Sequence, residues 1–263
     1  MKKQTKLVAV LSTAALLAIG ASMTSFAATG WAEEDGTWVY YDRNGDKVTD
    51  KWAKSGNNWY YLDSNGEMAV DQLIEDGDNY YYVDVNGVMA ANQWVAIDNE
   101  DAGDDDEPEH YWYYFQANGK ALKQGDSDTV SLKTVNGKKY AFDEYGAMVA
   151  EWSLDEDDEK KASDTEAQEA ASTASTSEAW EGNGKYAKYT QAWKYYNSVE
   201  DGSRVSKGWF KVVPAEMLNK EKYDDDEESW YYADGSGNLY AGEFKTIKGK
   251  KYAFRNDGRM LTG

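Results

Sequence analysis

The chain of 263 residues has no cysteine, one histidine and two prolines. Without cysteine there is no disulfide, thiolate zinc site, iron–sulfur cluster or cysteine nucleophile. The single imidazole, His110, cannot build a multi-histidine metal site and weakens every triad reading. Cationic residues are also scarce: Lys and Arg total 28 against 48 Asp and Glu, a formal net charge of −20 and a pI near 4.4. So acidic a chain repels phosphate backbones, which argues against nucleic-acid binding. The scarcity of proline suits a chain of short paired strands. Against these absences stands a surplus of rings, 11 Trp and 21 Tyr, at a mean hydropathy of −0.82. A polar chain that keeps so many rings must pack them in thin layers or present them to a ligand.

Lys2, Lys3 and Lys6 precede an apolar stretch from Leu7 to Ile19, and Ser25-Phe26-Ala27 places small residues at the −3 and −1 positions of a cleavage site. Residues 1–27 therefore read as a secretory signal peptide. The stretch is too short to span a ~30 Å hydrocarbon core. Its removal takes three lysines and no carboxylate, leaving a more acidic exported protein, and without cysteine no lipoprotein anchor can form. Surface attachment is then expected to be non-covalent.

The rest is organised by a 21-residue period. Trp31, Trp52, Leu73 and Trp94 recur at that spacing, as do Gly45, Gly66 and Gly87, and an aromatic follows seven residues after each of the first three: Trp38, Trp59, Tyr80. The unit 51–71 reads KWAKSGNNWYYLDSNGEMAVD. In Trp59-Tyr60-Tyr61-Leu62 alternate side chains face opposite sides of a strand. A Gly turn precedes that strand (Asp35-Gly36, Ser55-Gly56, Asp76-Gly77) and an Asp-x-Asn-Gly turn follows it (Asp42 to Gly45, Asp63 to Gly66, Asp84 to Gly87). Two residues beyond the second glycine stands an apolar side chain, Met68, Met89, Met148, Leu239 or Met260; Lys47 breaks this in the first unit. A lone hairpin cannot bury its aromatic face, and stacking of neighbours can. The expected fold is all-β, a repeat solenoid of about eight short β-hairpins with acidic loop insertions. Residues 28–153 form an N-terminal block of repeats and 180–263 a C-terminal block, and the Ala/Ser/Thr-rich acidic stretch 154–179 reads as a linker.

Gly-Trp, a turn, Trp-Tyr-Tyr, Asp-x-Asn-Gly and x-Met in this order resemble the choline-binding, or cell-wall-binding, repeats of Gram-positive surface proteins. The GKKYAF units at 137–142 and 249–254 are more similar to the carbohydrate-binding repeats of glucosyltransferases and large bacterial cytotoxins. The resemblance implies a left-handed hairpin solenoid with ligand sites between consecutive units, each a cage of about three aromatics around a quaternary ammonium. Carried over by position, it implies cages of Trp31, Trp38 and Trp59, and of Trp52, Trp59 and Tyr80. A further pair is Trp94 with Trp112, and Trp193, Trp209 and Trp230 supply one more in the C-terminal block. Leu73, Lys139 and Lys251 replace cage tryptophans and argue against sites in their units.

Each such ring has a plainer use in packing the solenoid core. The flat rings that hold a cation also stack on sugars, so aromatics alone do not separate choline from glucan. The net negative charge favours a cationic ligand. The acidic insert Asp98 to Glu109 carries eight carboxylates but lacks the spacing of a known calcium loop, and charge runs are usually solvated. No catalytic constellation is present, no cofactor or metal is implied, and no stretch outside the repeats reaches the ~100 residues of a catalytic domain. The sequence reads as a secreted wall-binding protein whose partner is a cell-wall polymer, choline-bearing teichoic acid or glucan. The second reading is an adhesin or scaffold with structural repeats, whose acidic loops bind a protein partner or calcium.

Overall fold

The computed structural model describes residues 29–99, 102, 108–125, 131–154 and 184–262. The signal peptide expected at 1–27, most of the 98–109 insert and all but the first residue of the 154–179 stretch lie outside the described residues. The fold is a repeat of antiparallel two-stranded hairpins, and it divides into two compact units, Met1–Ala102 with Trp112–Leu122 and Gly103–Tyr111 with Lys123–Gly263.

The first unit is built on β1 (Gly30–Glu34) with β2 (Thr37–Tyr41), β3 (Lys51–Ser55) with β4 (Asn58–Leu62), β5 (Gln72–Asp76) with β6 (Asn79–Val83), and β7 (Gln93–Asp98) with β8 (His110–Phe115). The second pairs β9 (Ser131–Val135) with β10 (Lys138–Phe142), β11 (Glu151–Leu154) with β12 (Trp193–Tyr196), β13 (Gly208–Val212) with β14 (Ser229–Ala233), and β15 (Glu243–Ile247) with β16 (Lys250–Phe254). Its helices among the described residues are α1 (Gly184–Ala192) and α2 (Lys220–Asp224).

The pairing of β11 with β12 revises the expected layout. Trp152 lies opposite Tyr195 and Leu154 opposite Trp193, so the 154–179 stretch falls inside one hairpin and does not separate two blocks. The acidic stretch 220–229, with α2, likewise lies inside the hairpin that pairs Trp209 with Tyr232. A two-residue loop fixes strand register, whereas a long insertion leaves the pairing to be chosen by tertiary packing.

The short loops follow backbone chemistry. Asp35-Gly36, Asn136-Gly137 and Lys248-Gly249 have both residues at positive φ, as a type I′ hairpin turn requires. In the second and third hairpins the loop is Gly56-Asn57 and Gly77-Asp78, with only the glycine at positive φ, the type II′ pattern. The following turn is closed by its aspartate. Asp63 Oδ1 accepts from the Asn65 and Glu67 N–H groups at 2.8 and 2.9 Å, and Asp84, Asp143 and Asp234 repeat this arrangement.

Consecutive hairpins are joined at the position two residues past the turn glycine. The Met68 N–H donates to Trp38 O at 2.7 Å, Met89 to Trp59 O at 2.9 Å and Met260 to Trp230 O at 2.7 Å. At the end of the second strand of most hairpins a side chain is sealed off, among them Leu62, Val83, Phe115, Phe142 and Phe254, all at 0% exposure, whereas Tyr41 at the end of β2 is only partly buried.

Gly87 shows how tightly the units stack. Its φ is +76°, and a Cβ there would meet Met68 Cε at 2.9 Å and the Ala69 carbonyl oxygen at 3.1 Å. At Gly77, with φ +59°, a Cβ would meet nothing within 4 Å. Gly77→Ala should therefore lose only the left-handed backbone term of about 1–2 kcal/mol. Gly87→Ala should lose that and the cost of displacing Met68, giving the lower urea midpoint of the two. Equal midpoints would show that the methionine contact is slack.

Candidate ligand sites at the hairpin junctions

Several junctions repeat one aromatic arrangement. The tryptophan of the first strand meets the tyrosine opposite it edge-on, Trp52 on Tyr61 at 5.1 Å between ring centroids. Its other side meets a tyrosine of the next hairpin, Tyr81, at 5.0 Å. Trp31 does the same with Tyr40 and Tyr60, both at 5.2 Å, and Trp209 with Tyr232 at 5.1 Å and Tyr252 at 4.8 Å. At the second junction the Trp52 indole N–H donates to Asp76 Oδ2 at 3.0 Å, which fixes the ring's rotation.

Here the rings depart by one residue from the expected cages. Next to Trp31 stands Tyr60, not Trp59, and next to Trp52 stands Tyr81, not Tyr80. Alternation along the strand is the reason: residues 59 and 60 face opposite sides, and Tyr60 is buried at 2% exposure while Trp59 is 40% exposed. The exposed Trp59 joins Trp52, Tyr81 and Met89 around one cavity of about 590 Å³. Tyr80 does not line it.

Among the described residues, no lysine, arginine, aspartate or glutamate lines this cavity. The Lys54 ammonium, across the strand pair from Trp59, lies 5.6 Å from its ring centroid. Burial, then the Asp50, Asp76 and Asp63 carboxylates, push the Tyr61 phenol above its ordinary range, and burial and Asp76 do so for Tyr81. Both stay neutral through physiological pH. A phenol whose folded pKa is raised contributes stability below its unfolded value near 10 and loses it as pH rises through the folded value. The first unit should accordingly weaken above pH ~10, with phenolate absorbance appearing as it unfolds; phenolate signal well below that pH would contradict the burial.

Other expected residues have different fates. Trp209 and Trp230 come together at 6.4 Å, interplanar angle 85°, with Trp230 41% exposed and Tyr252 closing the far side. Trp193 does not join them. It pairs with Trp152 at 6.4 Å and 79°, the same geometry one hairpin earlier, but is 8% exposed. Tyr189 of α1 and Leu218 pack into that cluster, so inserted chain fills the position that stays open beside Trp230. Trp94 packs on Tyr114 at 5.2 Å, and its expected partner Trp112 is buried at 5% exposure. At the third junction Leu73 and Ala121 stand where the neighbours carry tryptophan and methionine. His110 Nε2 lies 2.9 Å from Glu200 Oε1. Among the described residues no group of three or more His, Asp or Glu side chains is placed to hold a metal ion.

Tyr60, Tyr81, Tyr252, Trp152 and the junction methionines were absent from the expected cages. The signal for them was present: Tyr60 and Tyr81 are the second residues of aromatic triplets, Tyr252 holds the same place in Lys251-Tyr252-Ala253, and the methionines were noted as a repeated apolar position.

The fold and its junctions define a class: a hairpin-repeat module with aromatic clusters between consecutive units. The family model described as "Choline-binding repeat" matches residues 28–72 and 48–94. Residues 28–94 of the chain are thus similar to the choline-binding repeat family. Among solved structures, it is similar to CbpJ from Streptococcus pneumoniae (22% identity, TM-score 0.52, 89% of this chain and 58% of that one). It is also similar to choline binding protein F from Streptococcus pneumoniae (23% identity, TM-score 0.50, 89% and 58%). A third is the modular autolysin LytC from Streptococcus pneumoniae (17% identity, TM-score 0.50, 89% and 38%). The chain thus spans 38 to 58% of the length of these proteins. No curated protein sequence matches.

Proposed function

We propose that this is a secreted, non-catalytic wall-binding protein held on the bacterial envelope by aromatic cages that take choline. The observation that carries the reading is the cavity between the second and third hairpins, where Trp52, Trp59, Tyr81 and Met89 converge with no charged residue in the lining. A quaternary ammonium fits this chemistry. It offers no hydrogen-bond donor, so rings and a thioether satisfy it, and the ring faces attract its charge by about 0.5–1 kcal/mol each when exposed and ~2 when desolvated.

Three junctions carry the same set of parts. They are Trp31, Trp38, Tyr60 and Met68; Trp52, Trp59, Tyr81 and Met89; and Trp209, Trp230, Tyr252 and Met260. Weak single sites become strong retention when several engage one choline-bearing polymer, because the later events are intramolecular. The family match and the similarity in fold to choline-binding proteins support the ligand class.

The test is a titration of the protein with choline chloride, followed by tryptophan fluorescence, beside soluble α-glucan oligosaccharides. Saturation by choline and elution of wall-bound protein by free choline are expected. A response to glucan alone would transfer the protein to the carbohydrate-binding branch.

A further inference from the structure

We infer that the cavity at the second junction is a two-part site, in which the ammonium cage continues into a subsite for a neutral, hydroxyl-rich sugar unit. This inference rests on the choline reading of the cage. Its starting point is size. About 590 Å³ falls within the ~300–1,000 Å³ of pockets that enclose a drug-sized molecule. Trimethylammonium alone would fill only the end formed by the rings.

The remaining wall has a different chemistry. It consists of Asn57, Asn58 and Asn118 with the small side chains Ala91 and Ala117. Asn57 is the second residue of the tight turn of the second hairpin, and Asn58 opens β4. Asn118 comes from the Gln116–Gly119 turn of the fourth hairpin. The cavity therefore runs from the second hairpin across Tyr81 and Met89 of the third to a turn of the fourth, all within the first compact unit.

Three carboxamides around a cavity match hydroxyl groups, since each amide offers both an acceptor and two donors. Asn118 Oδ1 accepts from the Lys120 N–H at 3.0 Å, which leaves its amino group as the donor to a ligand. Asn58 directs its amino group to Tyr60 Oη at 3.5 Å, leaving its carbonyl oxygen as an acceptor. The lining has neither the cation that would hold a phosphate nor the carboxylate that would hold a second amine. Alanines at 91 and 117 leave room for a pyranose ring over the aromatic floor.

The experiment uses the full chain carrying Trp38→Ala and Trp230→Ala, which silences the other two junctions. It is titrated calorimetrically with choline chloride and with the choline glycosides of glucose and N-acetylglucosamine. At least one glycoside should bind roughly tenfold tighter than choline, the gain expected of two or so new hydrogen bonds. Adding Asn57→Ala and Asn118→Ala should return that glycoside to the affinity of choline and leave choline itself within about twofold. Glycosides no tighter than choline, or asparagine variants that weaken choline equally, would overturn the sugar subsite while leaving the cage intact. Absence of choline binding would overturn the cage reading and the inference together.

Discussion

Replacing Trp59 by alanine should abolish measurable choline binding at the second junction without unfolding the protein. The two halves of this expectation have separate origins. Trp59 is 40% exposed, and the buried side chains of its strand are Tyr60 and Leu62, so the core loses little when the indole is removed. The cavity, however, loses one of the three rings that enclose it. A cation desolvated against an indole face is worth about 2 kcal/mol or more, so affinity should fall by about 30-fold. Trp230→Ala should do the same at the seventh junction, where Trp230 is 41% exposed beside Trp209. Together with Trp38→Ala at the first junction, these substitutions should release the protein from choline-bearing walls, with its urea midpoint nearly unchanged. Retention at wild-type strength would mean that the rings pack and do not bind.

Trp152→Ala should have the opposite profile, with a large loss of stability in the second unit and no change in binding at the second junction. Trp152 touches four rings: Tyr195 at 5.0 Å, Tyr231 at 5.1 Å, Phe210 at 6.0 Å and Trp193 at 6.4 Å. Its indole N–H donates to Val213 O at 2.8 Å, which ties β11 to the chain beyond β13. Truncating a partly buried aromatic with this many ring contacts costs up to about 3–5 kcal/mol, a fifth or more of the ~5–15 kcal/mol that hold a typical domain. The loss should appear as a lower urea midpoint of the second unit, while the choline titration of the first unit stays as in the wild type. An unchanged midpoint would show that the cluster around Trp152 carries little of the fold.

These two tryptophans also show where reading by position succeeds and where it does not. Trp59 was found by its place in the 21-residue period, and the structure puts it at the mouth of a cavity. Trp152, read as the end of the fifth unit, was left out of the expected cages, and its strand partner Tyr195 lies far away in sequence. Tyr80 was chosen over Tyr81 because the period marks the first ring of each triplet, while strand alternation turns the next ring toward Trp52. Trp193 and Trp209 were grouped because they stand close in sequence, but pairing across β11–β12 and β13–β14 assigns them to different hairpins.

The sequence by itself determined the turns and the short-loop hairpins, because these follow from local chemistry. Asp-Gly, Asn-Gly and Asp-x-Asn-Gly bend the backbone through φ values that few other residues tolerate, and aromatic triplets alternate across a strand whatever surrounds them. Only the tertiary structure decided which rings meet, and which junctions stay open. Facing rings are set by the stacking of one hairpin on the next, where the junction methionine packs over a bare glycine. Openness is set by what else reaches the junction. Beside Trp193 the inserted Tyr189 and Leu218 complete the core, whereas Trp230, with the same partner geometry, keeps a face in solvent. Such occupancy depends on contacts between residues far apart in the chain, and a 21-residue period carries no record of them.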